Sequence, residues 1–193
     1  MTDERDDQPR RGRPRSRKSR DAILSAVRQE LLSGGYARLT MERVAAKAGV
    51  SKATIYRWWS TKGELALEAA ESEISIGVVP DTGNSVRDLD IAIQQLIETF
   101  SQPLASIVIF AAITTAGNDP VMAQVFRDKH VYPWRRSAAE ALERASSRGD
   151  VSLDDVQFIL DVIVGTVFQR TLVMKTPLVE GLKQNLLSIV FRT

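Results

Sequence analysis

Residues 40–59 have the sequence TMERVAAKAGVSKATIYRWW, which predicts two short helices joined by a tight turn. Thr40 is a suitable N-cap for the first helix. Apolar residues follow it at helical spacing: Met41, Val44, Ala45 and Ala48. Gly49 marks the turn, because glycine enters a left-handed backbone without steric cost, and Ser51 is suited to cap the second helix. The stretch therefore predicts a helix-turn-helix, whose second helix lies in the major groove of DNA.

The same stretch resembles the N-terminal domain of the TetR family of bacterial transcriptional regulators. The family pattern runs T-x-x-x-[IV]-A-x-x-A-G-V-S, then x-x-T-[IL]-Y-x-x-[FW], then x-x-K-x-x-L. The matching positions are Thr40, Val44, Ala45, Ala48, Gly49, Val50, Ser51, Thr54, Ile55, Tyr56, Trp59, Lys62 and Leu65. The alternative, a small helical core with a chance Ala-Gly-Val corner, does not account for so many matches in one register. The resemblance implies an all-α fold, with a three-helix DNA-binding domain and a larger C-terminal helical domain for effector binding and dimerisation.

Side chains that would contact DNA can be separated by their chemistry. The predicted base contacts are Ser51, Lys52, Ala53, Thr54 and Arg57. Lys52 can donate to guanine, and the methyl groups of Ala53 and Thr54 can contact thymine, whereas Arg57 could contact a base or a phosphate. The predicted backbone contacts are Thr40, Tyr56, Trp58 and Lys62. Thr40, Tyr56 and Lys62 match phosphate-contacting positions of the family, and Trp59 matches its buried aromatic position.

The start of the chain is a basic arm. Residues 10–20, RRGRPRSRKSR, hold seven basic side chains and few apolar ones, so residues 1–18 are expected to be disordered. The Arg11-Gly12-Arg13-Pro14-Arg15 segment resembles the core of an AT-hook, in which an extended backbone enters the minor groove of A·T-rich DNA. The alternative is a solvated basic tail that only neutralises phosphates. Both interpretations place the arm on DNA.

Charge is divided unevenly along the chain. Residues 1–62 contain 15 basic and 7 acidic residues, and the remainder contains 11 and 17. A basic first third is expected when that end must approach a polyphosphate. The absence of cysteine excludes disulfides and thiolate metal sites. The N-terminus lacks the apolar character of a secretory signal, and no apolar run reaches the roughly 18 residues of a membrane span. We therefore expect a soluble, cytoplasmic protein without a membrane partner.

Helix start and stop signals predict the domain organisation. A first helix is expected from about Ser19 to Ser33, ending at Gly34-Gly35. Thr61 and Glu64 have the spacing of a capping box, which opens a helix through about Ile76. Residues 77–84, GVVPDTGN, are rich in turn formers. The expected domains are the arm at 1–18, a helix-turn-helix domain with its connecting helix at 19–76, and a C-terminal domain at 77–193.

The C-terminal domain is predicted to be helical throughout. Helices are expected to begin at Ser85, at Pro103 and near Pro120, and Pro133 is expected to kink or break the third. The helix from Pro103 is apolar nearly all round, which favours a central position. The last two helices are expected at 153–174 and 177–191.

Two functions of the C-terminal domain are implied by the resemblance. Family members dimerise through their last two helices, where the predicted interface residues are Ile159, Ile163, Gly165, Leu182, Leu186 and Ile189. The alternative for these helices is an intrachain packing pair. The candidate effector pocket is lined by Phe100, Phe110, Thr114, Met122, Phe126, Trp134 and Phe168, each of which could instead be a core residue. An apolar lining of this kind indicates a small hydrophobic or aromatic effector.

Two other classes of function were weighed against a regulator. An enzyme is disfavoured, because the chain has one histidine, His130, and lacks a glycine-rich phosphate loop or a metal-spaced cluster. No catalytic residue, cofactor or metal is therefore predicted. An architectural DNA-binding protein would show a steep salt dependence and little sequence preference. The favoured prediction is a sequence-specific regulator, a ligand-responsive repressor that binds a palindromic operator as a homodimer.

Overall fold

The computed structural model describes residues 14–74, 76–152, 155–176 and 181–191. Every regular element in these ranges is helical, which confirms the all-α prediction. The α-helices are α1 (Pro14–Arg38), α2 (Met41–Ala48), α3 (Lys52–Tyr56), α4 (Lys62–Ala70), α5 (Ser85–Ser101), α6 (Pro103–Thr114), α7 (Pro120–Phe126), α8 (Tyr132–Ser147), α9 (Val156–Phe168) and α10 (Gly181–Val190). A 3₁₀ turn at Glu71–Glu73 follows α4, and π-helical turns at Arg127–Val131 and Gln169–Val173 follow α7 and α9.

The helix-turn-helix, α2 and α3, begins and turns where the sequence predicts. The Thr40 hydroxyl accepts a hydrogen bond from the Arg43 N–H at 3.3 Å, and the Ser51 hydroxyl accepts one from the Thr54 N–H at 3.2 Å. Gly49 ends α2 in the left-handed region, with φ 66° and ψ 35°. Each cap satisfies backbone groups that a helix end leaves without partners. Local chemistry therefore fixes both helices and the angle between them.

The first helix is longer than the sequence predicts. It begins at Pro14 rather than near Ser19, so it includes the last residues of the predicted arm. Proline is compatible with a first helical position because the N–H that it lacks has no partner there. Gly35 interrupts the regular backbone with φ 69° and ψ 175°, which confirms the predicted break.

Helix α4 opens with the predicted capping box. The Glu64 N–H donates to the Thr61 hydroxyl at 3.1 Å, and the Glu64 carboxylate accepts from the Thr61 N–H at 3.3 Å. The α-helix ends at Ala70 and not near Ile76, since a 3₁₀ turn replaces its last residues. Through α4 the DNA-binding domain contacts α6 and α7 of the C-terminal domain.

Helix α5 begins the C-terminal domain at Ser85, as expected, and Asn84 is its N-cap. The Asn84 side chain accepts from the Arg87 N–H at 3.0 Å. Helices α5 and α6 meet at an angle of 92°. Helix α6 is less central than expected, because Phe110 and Ile113 are exposed while its other face packs on α1, α4 and α5.

Pro133 is predicted to kink or break the helix from Pro120, and the α-helical pattern is interrupted just before it, by the π-helical turn at Arg127–Val131. The Tyr132 N–H donates to the Arg127 carbonyl, one residue further back than in an α-helix, and this wide turn precedes Pro133. A wider turn accommodates a residue that cannot donate, so α8 continues directly from it. Gly149, with φ 79°, follows the end of α8.

The two domains meet where Gly63 of α4 touches the start of α7. The Tyr36 hydroxyl donates to Asp119 at 3.2 Å, and Asp119 also caps α7 by accepting from the Met122 N–H at 3.0 Å. A Cβ atom on Gly63 would lie 2.6 Å from both the Asp119 carboxylate and the Met122 Cβ. The helix-weakening glycine in the first turn of α4, which the sequence leaves unexplained, is required by this close approach.

Half of the predicted dimer interface lies inside the protomer. Ile163, Leu182 and Leu186 are buried in the core of the single chain, so they have almost no surface left for a partner, and their assignment to an interface is wrong. Periodicity correctly marks their faces as apolar but does not identify what covers them. Gly165 is exposed, Ile159 is half-buried, and Ile189 keeps 50% of its surface exposed.

Helix α9 and its π-helical turn expose much apolar surface. The 18 residues Val156–Val173 have a mean hydropathy of 1.5, and only 22% of them are buried within the protomer. By length and mean hydropathy the segment could cross a membrane, although Asp161 and Arg170 interrupt its apolar residues. An exposed apolar surface of this kind is typical of one that a second protein chain covers.

Candidate DNA-binding surface and ligand cavities

Helix α3 exposes the predicted base contacts together. Ser51, Lys52, Ala53 and Arg57 are exposed, and Thr54 is half-buried. On the opposite face, Ile55 is completely buried in the core formed with α1, α2 and α4. Because Ile55 anchors the helix, the N-terminal turn of α3 is held outward, as a helix that enters the major groove must be.

Lys52 is held by an ion pair in the DNA-free protein. Its ammonium donates to the Glu42 carboxylate at 2.9 Å, and both side chains are mostly exposed. Hydrogen bonding to Glu42 raises the pKa of Lys52, and the reciprocal bond lowers the pKa of Glu42. Lys52 therefore stays cationic, and the predicted base contact would require it to leave Glu42.

Three of the four predicted backbone contacts are accessible. Tyr56 keeps 53% of its surface exposed and Trp58 keeps 43%, while Thr40 is also exposed. Lys62 differs, because its ammonium lies 4.6 Å from the centre of the Tyr36 ring and 3.5 Å from the Leu39 carbonyl. Lys62 is thus directed partly into the protein and must reorient to bind a phosphate.

A carboxylate that sequence analysis missed fixes the end of the α3 segment. Glu68 of α4 accepts from the Trp59 indole N–H at 2.8 Å and forms an ion pair with Arg20 of α1. The Arg20 guanidinium lies 5.9 Å from the centre of the Trp58 ring and 6.0 Å from that of Trp59. Trp59 is buried as predicted. These contacts hold the end of the α3 segment against α1 and α4.

A second carboxylate, Glu30, joins α1 to α2. It accepts from Arg43 at 2.7 Å and from Lys47 at 2.9 Å, and little of the Glu30 side chain is exposed. Hydrogen bonds from Lys47 and Arg43 hold the pKa of Glu30 below its ordinary value of 4.5. The charged form of Glu30 therefore stabilises the position of α2 behind α3.

Replacing Glu30 with glutamine should remove a pH-dependent part of the stability. A carboxyl group whose pKa is lowered on folding stabilises the protein above its unfolded pKa, and this contribution is lost as the pH falls through the folded pKa. Wild-type protein should melt at a higher temperature than E30Q at pH 7, and the difference should shrink below about pH 4.5. Calorimetry measures both curves, with Glu140→Gln, at an exposed site on α8, as control. A difference that is constant with pH would contradict the ion-pair assignment.

A cavity of about 330 Å³ lies in the C-terminal domain, and we call it the inner cavity. It contains four of the predicted effector contacts: Phe100, Phe126, Trp134 and Phe168. Its walls come from helices α5 to α9 and from Ile76. The surface that lines the cavity is almost wholly apolar. The other predicted residues are elsewhere, because Met122 is buried against Gly63, and Phe110 and Thr114 line a different cavity.

Two buried polar atoms lie in the lining of the inner cavity. The indole N–H of Trp134 and Nε2 of His130 have no hydrogen-bond partner within the described residues. Burial lowers the pKa of His130, although the Glu71 carboxylate, 3.6 Å from Nε2, opposes this shift. A buried donor without a partner is costly, so the Trp134 N–H marks a position suited to a ligand acceptor.

The structure describes only part of the predicted minor-groove arm. Arg11 and Arg13 lie outside the described residues. Arg15 belongs to α1, so its backbone is helical rather than extended. An AT-hook conformation through Arg15 would require the first turn of α1 to unfold.

Comparisons with known proteins agree with this geometry. The profile of "Bacterial regulatory proteins, tetR family" matches residues 23–69, and that of "Tetracyclin repressor-like, C-terminal domain" matches residues 79–190. The chain is 34% identical to the HTH-type transcriptional regulator YdeS of Bacillus subtilis over 168 residues, covering 86% of this chain and 84% of that protein. It is also 34% identical to the DNA-binding transcriptional repressor TetR of Mycobacteroides abscessus over 153 residues, 77% of this chain and 80% of the relative.

A solved structure supports the same assignment over nearly the whole chain. The crystal structure of the TetR family transcription regulator SCO0332 is similar with a TM-score of 0.60 and 33% identity, covering 89% of this chain and 95% of that one. The helix-turn-helix with its exposed α3, the helical C-terminal domain and these matches lead to one conclusion: the chain belongs to the TetR family and is a DNA-binding transcriptional regulator.

Proposed function

We propose that this regulator is a homodimeric repressor that binds a palindromic operator and is released from it by a small apolar effector. The observation that carries the proposal is the outward surface of α3, with Lys52 and Tyr56 exposed around the buried Ile55. In this proposal Ser51, Lys52, Ala53, Thr54 and Arg57 contact bases. The backbone is held by Thr40, Tyr56 and Trp58, and by Lys62 after it reorients. The relative from M. abscessus is named a repressor, which supports repression over activation.

Dimerisation is supported by the exposed apolar surface of the last helices. Phe158 of α9 keeps 62% of its surface exposed, and Ile189 of α10 keeps 50%. One helix-turn-helix contacts one half-site, whereas a twofold dimer contacts two half-sites about 34–36 Å apart. We therefore assign the interface to Phe158, Ile159, Gly165 and Ile189.

The DNA contacts can be tested by separating base from backbone effects. Lys52→Ala should relax the base preference at one operator position. It should weaken the binding free energy by about 1–3 kcal/mol for the preferred base pair and leave the other base pairs at that position unaffected. Tyr56→Phe should weaken operator and unrelated DNA by the same factor, because a phosphate contact carries no sequence information. Fluorescence anisotropy with the operator and with single-base variants measures both. An unchanged base preference in K52A would remove Lys52 from the assigned contacts.

The inner cavity is our proposed effector site. Its apolar walls and the unpartnered Trp134 N–H favour a hydrophobic or aromatic molecule that carries one hydrogen-bond acceptor. His130 lies in the same wall and is 3.6 Å from Glu71, which directly follows α4. A ligand in the cavity thus contacts the wall that borders the connection to the DNA-binding domain. To release DNA it must bind the released state more tightly than the operator-bound state.

Trp134→Phe tests the effector chemistry. The change removes the N–H and keeps an aromatic ring, so aromatic ketones should bind about tenfold more weakly while the matching hydrocarbons should bind unchanged. Titration calorimetry without DNA measures both series, and a thermal melt checks the fold. Equal losses for ketones and hydrocarbons would show that Trp134 contributes only shape.

The remaining elements of the proposal concern the arm and the setting. We propose that Arg11, Arg13 and Arg15 increase affinity for DNA beside the operator, either in the minor groove or through phosphates alone. The protein then acts in the cytoplasm, where bacterial DNA lies. An architectural protein without an effector is the alternative, and a preference of less than about a thousandfold for the operator over other DNA would favour it.

A further inference from the structure

A second cavity lies between the two domains, and we call it the junction cavity. Its volume is about 500 Å³, and it is separate from the inner cavity, with which it shares no lining residue. The end of α1 and the start of α4 form one side, and one face of α6 from Ser106 onward forms another. The π-helical turn after α9 and Lys175 complete it. Any molecule bound there would touch the DNA-binding domain and the C-terminal domain together.

Like the inner cavity, which Arg127 and Arg135 border, the junction cavity is basic. Lys62 and Lys175 line it, and none of its described lining residues is acidic. Lys62 makes only a 3.5 Å hydrogen bond to a backbone carbonyl and a cation–π contact. The two ammonium groups therefore share a concave surface without a carboxylate to neutralise them, and this favours an anion.

Polar and apolar groups are both present in the lining. The Thr171 hydroxyl is buried and has no hydrogen-bond partner within the described residues, while the hydroxyls of Thr114 and Thr115 donate to backbone carbonyls. Ile107 and Leu172 provide apolar surface in the same cavity. A buried hydroxyl without a partner is uncommon and fits a position where a ligand oxygen accepts.

We propose that the junction cavity binds an amphipathic organic anion. Its carboxylate is held by Lys62, Lys175 and the Thr171 hydroxyl, and its apolar body packs on Ile107 and Leu172. An inorganic anion would leave this apolar surface empty, and a neutral hydrocarbon would leave two cations and a hydroxyl unpaired. The cavity therefore favours a molecule that has both an anionic group and an apolar body.

Occupancy of the junction cavity has a consequence for DNA binding, which rests on the proposed role of Lys62 at a phosphate. An anion that pairs with Lys62 competes with the operator backbone for the same ammonium. By linkage, the operator and the anion must weaken each other by the same factor. The junction cavity thus provides a second, independent route by which a metabolite releases DNA.

The binding test uses decanoate as probe, with 1-decanol as the neutral molecule of equal chain length. Titration calorimetry on the full chain without DNA should show one decanoate per protomer, with decanol bound about tenfold more weakly or worse. Lys175→Gln and Thr171→Val should each weaken decanoate about fivefold to tenfold. Ala37→Phe, at an exposed position in the lining, should block binding. Ala116→Phe, which fills the inner cavity, should leave decanoate affinity unchanged.

Each alternative outcome rejects the proposal. Equal affinity for decanoate and decanol, or unchanged affinity in both K175Q and T171V, would remove the anion site. Loss of binding in A116F but not in A37F would place the ligand in the inner cavity. Thermal melts establish that each variant is folded. Because the titration contains no DNA, its result is independent of operator binding, which anisotropy measures separately with and without decanoate. An operator affinity unchanged by saturating decanoate would reject the competition for Lys62 alone.

Discussion

Replacement of Phe158 with aspartate is expected to convert the protein to monomers and to weaken binding to the full palindrome by about 10²–10⁴-fold. Phe158 is the most exposed large hydrophobic residue of α9, and it lies on an 18-residue segment of which only 22% is buried in the protomer. A carboxylate placed in an apolar interface loses its hydration without gaining a partner. In a dimer, binding of one protomer to its half-site raises the effective concentration of the other protomer at the second half-site. A monomer loses this gain.

The measurement must distinguish loss of assembly from loss of folding. Analytical ultracentrifugation gives the mass of F158D, and anisotropy compares its affinity for a full palindrome and for a single half-site. The half-site affinity should be unchanged, because α3 is remote in sequence and held by its own core. Val78→Asp is the matched control, since Val78 is 81% exposed and lies outside α9 and α10. A dimeric F158D would place the interface on another surface.

The DNA-binding domain was predictable because its signals are local. Thr40, Gly49 and Ser51 act on backbone groups within three or four residues, so each cap follows from the chemistry of its own segment. The exposure of Lys52 and Tyr56 follows in turn, because Ile55 must face the core. Sequence and structure agree here since few distant contacts can alter the result.

The C-terminal domain was less predictable because apolar periodicity identifies a buried face and not the element that buries it. Ile163, Leu182 and Leu186 lie on apolar faces as predicted, yet other helices of the same chain cover them. Phe158, which is not among the predicted interface residues, is exposed. A single-chain pattern cannot separate an intrachain contact from an interface, because both require the same side chains.

Contacts between distant residues were also missed at the DNA-binding domain itself. The family resemblance predicts that Lys62 contacts a phosphate, but its ammonium lies 4.6 Å from the centre of the Tyr36 ring. Glu68 carried no local signal, although it links Trp59 to Arg20. These pairings depend on helix packing, which is decided by the whole fold and not by any one segment.

Gly63 is where the two domains approach most closely, and its replacement by alanine tests that contact. The added methyl would lie 2.6 Å from the Asp119 carboxylate and from Cβ of Met122, which is completely buried and cannot easily move. Overpacking of this kind costs about 1–3 kcal/mol, against a gain of about 0.5–1 kcal/mol from replacing a helical glycine. The melting temperature should fall by about 2–4 °C for each net kcal/mol lost.

The same methyl should weaken operator binding, since it displaces the carboxylate that accepts from the Tyr36 hydroxyl and caps α7. Relief of the clash separates α4 from α7. Because α4 belongs to the DNA-binding domain, the DNA-binding domain of each protomer in a dimer would shift relative to its half-site. Calorimetry gives the melting temperature and anisotropy gives the operator affinity. Gly117→Ala is the control, because no atom lies within 4 Å of its added Cβ. If G63A melts no lower than G117A and binds the operator as tightly, then α4 and α7 are not in the close contact that the structure shows, and Gly63 has no part in joining the two domains.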